Sequence, residues 1–346
     1  MSLLLADLHA HVLPGSFPAV PPGCDPSSWP SMSPGPDGAR QLVSGALRFT
    51  ARAVFFDGEQ RLAAMDASGV DAEVVSPMPP VLNYTAPPAA GRDLCRWINE
   101  FIAGLCAVDS SRLLGLGTVP MQDPDLAAAE LASVAELGLV GVEIASHVGG
   151  MSLAEDRYLG FFAEAARLGV PIFVHAMPAA SGRLPSGAAG TFGVGVDGAL
   201  AAAALISGGV AERYPELRLA FSHGAGGFPL ILPRAQWFWG RTWNEEPPSS
   251  EVTGPSPSEL ARRFYYDTLV FDRRALRYLI DLIGPDRLFI GSDFPAMPRE
   301  EPAGRTLRAM GLPEDVLEDI TWHNCFRFLG IDAPKLFSSG EQPRLR

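Results

Sequence analysis

The chain has 346 residues, 47% of them hydrophobic and 19% charged, with a formal net charge of −12. That length holds one large domain or two ordinary ones, and the acidic balance excludes a nucleic-acid partner, which needs clustered basic residues. Cys24, Cys95, Cys106 and Cys325 show no CxxC pairing, which excludes the disulfide framework of a short secreted chain.

The N-terminus reaches Asp7 and His9 without the basic run of a signal peptide. The most apolar stretch, "GALAAAALISGGVA", reads as too short and too rich in Ala and Gly to span a bilayer. The expected setting is therefore the cytoplasm, with no membrane contact.

In chain order, short apolar runs alternate with helical patterns. "LLLADLHAHV" opens as a strand. "VDAEVVSP" (70–77), "RLLGLGTVP" (112–120), "GLVGVEIAS" (138–146) and "VPIFVHA" (170–176) each follow a helix-like segment, as do "LRLAFSHG" (217–224), "RRFYYDT" (262–268) and "RLFIGSDFP" (287–295). Most of these runs are apolar throughout, as strands buried on both faces are. Eight strand–helix repeats predict a parallel α/β fold closed into a (β/α)₈ barrel. We expect one barrel domain over residues 1–335, with a Pro/Gly/Ser-rich insertion at 13–57 covering the active-site end and a loose tail at 336–346. Residues 240–260 form a second long polar connection.

Five of the six histidines fall at or near strand C-terminal ends, where barrel enzymes place their chemistry. In "DLHAH" (7–11) strand alternation aims His9 and His11 to one side, roughly 6.5–7 Å apart at the backbone. His175 ends the fifth strand, His223 the sixth, and Asp293 in "GSDFP" the eighth. Three imidazoles and one carboxylate suit a single divalent ion with one position left open. His9, His11, His175 and Asp293 are the expected ligands, and His223 is left as the acid/base. Asp7, as i−2, would share the face of His9. His147 reads as either a pocket residue or a loop residue, and His323 as structural. Metal-assisted hydrolysis of an amide, ester or lactone fits the same residues, as does a barrel that has lost catalysis and only binds.

Taken together, "DLHAHVLP", "RLAAMDASGVDAEVVSP", "LGLGTVPMQDP", "FVHA", "FSHGAGGFP", "IGSDFP" and "NCFRFLG" resemble the amidohydrolase superfamily. Within it they are most similar to the aminocarboxymuconate-semialdehyde decarboxylase group. The resemblance implies a zinc-dependent (or manganese-dependent) non-oxidative decarboxylase of an unsaturated or aromatic carboxylic acid, working as a homodimer. His9, His11, His175 and Asp293 would bind the metal, with Asp293 and His223 serving catalysis. Arg234 would hold a substrate carboxylate across the dimer interface, a task suited to a bidentate guanidinium; read without the resemblance, it is a surface helix residue.

Departures lie in the substrate-recognising shell. Relatives carry an arginine pair in the insertion; here "LRFTARAVFFD" places Arg52 on the second and Phe49 on the first, with Arg48 one place away. A Trp-rich segment after the fifth strand is replaced by "GTFGVGVDGAL". Decarboxylases of hydroxybenzoates usually carry Glu in place of the first His, so the intact HxH favours the aminocarboxymuconate type.

Overall fold

A computed structural model describes residues 3–177, 184–185, 187–241 and 253–333. The eight expected strands are all present: β1 (Ala6–Val12), β2 (Ala72–Pro77), β3 (Leu113–Gly117), β4 (Gly141–Ala145), β5 (Ile172–His175), β6 (Leu219–Phe221), β7 (Tyr265–Asp267) and β8 (Leu288–Phe294). They close into a barrel in chain order, every neighbouring pair parallel.

Helices between the strands start and stop where the local chemistry dictates. The Asp57 side chain accepts from the Gln60 N–H to cap the helix Gly58–Ser68, and Gly69 ends it in the left-handed conformation. Asp272 caps Arg273–Ile283 in the same way. The helix Val194–Ser207 is prolonged at its start by a π-helical stretch, Ala189–Gly193. The resulting 19-residue run is long and apolar enough, by length and composition, to cross a membrane, which corrects the expectation from its Ala-rich half alone. Gly198, Ala201, Ala202 and Leu205 on this run are nonetheless buried against the barrel.

Two apolar layers hold the barrel. Outward-facing strand residues such as Val75, Val142, Ile172 and Ile290 pack on the helices. Inward-facing Ala6, Leu8, Phe173, Ala220, Tyr265 and Phe289 meet Trp322, Cys325 and Phe328 of the C-terminal helical segment, which plugs the lower end. The Phe328 ring lies 5.5 Å from Tyr265 and 5.8 Å from Phe289. The lower barrel is thus filled with side chains.

The expected insertion contains a three-stranded antiparallel sheet, Ser31–Pro34, Arg40–Ser44 and Leu47–Ala51. It lies at the C-terminal end of the barrel, where the Ser44 hydroxyl donates to Pro80 O beyond β2. Of the second long connection, 242–252 lie outside the described residues, as does the expected tail.

Candidate metal centre

Strand alternation does not run unbroken through β1. Asp7 pairs with Ile290 and His9 with Gly291 on one side, while Asp7 pairs with Glu73 and Ala10 with Val75 on the other. One extra residue, a β-bulge at Leu8–His9, shifts the phase. Ala6 and Leu8 point into the barrel, Asp7 points out of it, and beyond the bulge His9 and His11 both point in. Asp7 therefore does not share the face of His9, contrary to the spacing argument. Opposite His9, β8 carries Gly291, where a Cβ would sit 2.8 Å from the His9 Cβ and 2.7 Å from that of Asp267. Only a glycine leaves room for the imidazole there.

The expected ligand atoms converge. His9 Nε2 lies 3.2 Å from His11 Nε2 and 3.1 Å from His175 Nε2, and the last two are 3.3 Å apart. Asp293 Oδ1 is 3.1 Å from His11 Nε2 and 3.7 Å from His9 Nε2. Ligand atoms of all four residues lie within 4.8 Å of one another. A metal–nitrogen bond of about 2.1 Å requires nitrogen–nitrogen edges of about 3.0–3.4 Å, from octahedral to tetrahedral angles.

The Nδ1 side of each ring shows what leaves the three Nε2 atoms available to a metal ion. His9 Nδ1 donates to Asp267 Oδ2 (2.6 Å), His175 Nδ1 to Ala176 O (3.0 Å) and His11 Nδ1 to Ser76 Oγ (3.2 Å), which in turn donates to Glu143 Oε2 (2.7 Å). With Nδ1 protonated in each neutral ring, the three Nε2 atoms turn lone pairs toward one point, as metal-ligating histidines do. A divalent cation fits this donor set.

The electrostatics ask for the same charge. Burial works against a proton on His9, but the hydrogen bond to Asp267 and the Asp293 carboxylate outweigh it and raise its pKa to about 9. Burial lowers His11, and lowers His175 further. Burial also works against ionisation of Asp293, but the surrounding imidazoles hold its carboxyl below the ordinary range. Glu143, desolvated beneath His11, is pushed up to about 8.

His223 packs against this cluster. Its ring centroid is 5.1 Å from that of His9 and 5.5 Å from that of His175. Burial depresses its pKa to about 4, so the ring is neutral at pH 7. The turn that carries it is left-handed at His223 (φ 54°) and Gly224 (φ 58°). Asp293 is likewise left-handed, at φ 57°. Such backbone costs non-glycine residues about 1–2 kcal/mol and collects at functional sites.

Asp267 pins the turn: its Oδ2 accepts from the His223 N–H (2.8 Å) as well as from His9, and its Oδ1 accepts from Gly224 N–H (2.8 Å) and Leu269 N–H (3.1 Å). Asp267 escaped the reading of the sequence, although "YYDT" puts an acidic residue at a strand C-terminal end, the signal that marked Asp293.

A cavity of about 860 Å³ opens above the cluster, with His175, His223 and Asp293 at its floor and Val194, Leu230, Phe271 and Met297 among its walls. Its arginine, Arg274, is engaged by the Asp272 carboxylate (3.0 and 3.1 Å).

None of the three expected substrate arginines lines this cavity. Arg48 is exposed and donates to Gly45 O and Leu47 O of its own hairpin. Arg52 lines a neighbouring groove that shares Met297 with the cavity. Arg234 lies on the exposed face of the helix Phe228–Phe238, its guanidinium 4.9 Å from the Phe238 ring. His147 stands in the short strand His147–Val148 and lines a separate cavity; its Nε2 donates to Met177 O and its Nδ1 accepts from Gly150 N–H. His323 is exposed on the C-terminal segment, away from the cavity.

A family model described as amidohydrolase matches residues 6–331. The chain belongs to the amidohydrolase family. This amidohydrolase is 30% identical over 338 residues to the 2-amino-3-carboxymuconate-6-semialdehyde decarboxylase of Dictyostelium discoideum, covering 96% of this chain and 93% of that one. Among solved structures it resembles the 5-carboxyvanillate decarboxylase of Sphingomonas paucimobilis (TM-score 0.77, 26% identity, 95% and 99% of the two chains covered). It also resembles the 5-carboxyvanillate decarboxylase of Novosphingobium aromaticivorans, solved with manganese and a nitrobenzoic acid (TM-score 0.69, 25% identity, 80% and 81% covered). The named relatives are decarboxylases, and the converging His/Asp cluster together with a manganese-bound neighbour supports a divalent metal here.

Proposed function

We propose that this amidohydrolase removes CO₂ from an unsaturated or aromatic carboxylic acid without an oxidant, using one divalent ion, zinc, held by His9, His11, His175 and Asp293. The observation that carries the reading is the set of three converging Nε2 atoms and one carboxylate at the floor of an apolar cavity, with a neutral His223 alongside. The bound ion would supply Lewis-acid charge where negative charge gathers on the substrate.

The chain's own residues do the rest. Val194, Leu230, Phe271 and Met297 offer apolar walls for a flat unsaturated system and keep water from its faces. In decarboxylation the bond to the carboxyl carbon breaks, its electron pair stays on the substrate, and a proton takes the place of CO₂. His223, at the floor, takes up a proton on a ring nitrogen and delivers it to the substrate carbon that the carboxyl group leaves. Asp267 keeps the His223 backbone and the His9 ring in register for the exchange.

The substrate carboxylate calls for a guanidinium, and Arg274 is already taken by Asp272. We assign the task to Arg234 of a second copy in a homodimer, with Arg52 on the adjoining groove as the in-chain contributor and Arg48 left to its hairpin. An apolar surface around Arg234 supports the dimer. Phe192, Val196 and Leu200 are 67%, 46% and 56% exposed at four-residue spacing on one helix, and Leu230, Ile231 and Trp237 are 74%, 47% and 57% exposed on the next. A cytoplasmic location completes the reading.

The test is CO₂ release from a panel of hydroxybenzoates, carboxyvanillate and aminocarboxymuconate semialdehyde, run against lactones. Activity should vanish on chelation and return with zinc or manganese. Lactone turnover without CO₂ release would refute the assignment.

A further inference from the structure

Behind the metal centre, on the outer side of the barrel wall, lies a chain of four buried charges: Asp7, Arg299, Glu73 and Arg61. Asp7 Oδ2 accepts from Arg299, with Nη2 at 3.0 Å and Nε at 3.2 Å. Arg299 Nη2 also donates to Glu73 Oε1 (2.7 Å). Glu73 takes Arg61 in a two-point pair, Nη2 to Oε1 at 2.6 Å and Nε to Oε2 at 3.0 Å. The charges cancel, and none of the four side chains lines the metal cavity.

The two ends of this chain grip backbone beside the ligands. Asp7 Oδ1 accepts the His9 N–H (3.3 Å) at the bulge and the Ser292 N–H (3.1 Å) next to Asp293. Arg61 Nη1 donates to His11 O (2.8 Å), and its Nη2 to Phe294 O (3.3 Å) on the other side of Asp293. Both flanks of the carboxylate ligand and both histidines of β1 are therefore held by one network. Buried ion pairs are poor stabilisers beside an apolar core of equal volume, so stability alone gives little reason for four charges here. Geometry does: a β-bulge that reverses the phase of β1 has to be pinned, or His9 reverts to facing out.

We infer that Asp7 and Arg61 are positioning residues for the metal centre, acting through the main chain of His9 and His11 and of Ser292 and Phe294, which flank Asp293. This rests on the assignment of His9, His11 and Asp293 as ligands. Neither residue is a ligand or a proton donor to substrate; their effect is on metal affinity and coordination geometry.

The test uses Co²⁺, whose visible absorption reports coordination geometry, titrated into the metal-stripped full chain with a competing chelator. Asp7→Asn keeps an acceptor for the His9 and Ser292 N–H groups but sets an amide NH₂ against Arg299. It should melt lower, yet bind Co²⁺ within about threefold of wild type with an unchanged spectrum. Asp7→Ala removes the acceptor and should weaken Co²⁺ binding about 10–100-fold, the usual effect of losing support behind a ligand, with an altered spectrum. Arg61→Lys keeps the charge beside Glu73 but cannot span both carbonyls, and should weaken binding about tenfold. If Asp7→Ala does not fold, Arg61→Lys decides. Folded variants with wild-type affinity and spectrum, or affinity that simply follows stability through Asp7→Asn, would overturn the inference. A wild-type chain that takes up no Co²⁺ would instead overturn the ligand assignment beneath it.

Discussion

Asp267→Asn probes the centre at the point where the proposed ligand His9 and the proposed proton-transfer residue His223 share one support. The wild-type carboxylate satisfies four buried donors: His9 Nδ1, His223 N, Gly224 N and Leu269 N, at 2.6 to 3.1 Å. An amide offers one acceptor oxygen and one donor NH₂. If the oxygen turns to His9 and His223, the NH₂ faces the N–H groups of Gly224 and Leu269. Turned the other way, the NH₂ faces His9 Nδ1 and favours the tautomer with its proton on Nε2, where the metal should sit.

In either pose the charge-assisted hydrogen bond to His9 is lost, worth about 1.5–3 kcal/mol. At about 1.4 kcal/mol per decade that becomes roughly 10–150-fold weaker metal binding. Two buried donors left unpaired at about 1–3 kcal/mol each should lower the stability of the metal-stripped protein by about 2–6 kcal/mol. Chelator competition reads the first effect and urea unfolding the second. A folded Asp267→Asn with wild-type metal affinity would show that the His9 contact does not tune the centre, and the reasoning would fail.

Three further outcomes are expected. His223→Ala should retain the metal and lose about 10²–10⁴-fold in kcat; elemental analysis showing metal loss would instead make His223 a ligand. In the metal-stripped protein, stability should fall as pH drops from 6.5 toward 4, because the unfolded chain takes up a proton that buried His223 refuses. It should also fall as pH rises from 6.5 through about 9, because folded His9 holds a proton that the unfolded chain releases; a flat pH dependence of urea midpoints would contradict both shifts. Arg234→Ala should raise KM, in line with a lost charge-assisted pair of about 1.5–3 kcal/mol. At substrate concentrations where each variant alone is slow, mixing His223→Ala and Arg234→Ala chains should restore part of the activity if Arg234 serves a neighbouring subunit, and no recovery would place it within its own chain or outside the reaction.

Much of this molecule is legible in its residues alone. Apolar runs buried on both faces, spaced by helix-length segments with Asp caps and Gly stops, are local signals, and they yielded eight parallel strands in chain order. His9, His11, His175 and Asp293 were recognisable because strand ends of a barrel converge on one axis, whatever the separation along the chain. What local pattern could not convey is phase and partnership. Period-two alternation assigned Asp7 to the face of His9, whereas a bulge sends it to the opposite side, where Ser292 and Arg299 from a distant segment bond its carboxylate. Asp267 reads as an ordinary strand-end acid until β7 comes to lie between the strands that carry His9 and His223. The arginines show the same limit: charge and spacing describe what Arg48, Arg52 and Arg234 could bind, but only the folded chain sets where each guanidinium stands. A side chain's chemistry belongs to its residue, while its direction and its neighbours depend on contacts between segments far apart in sequence.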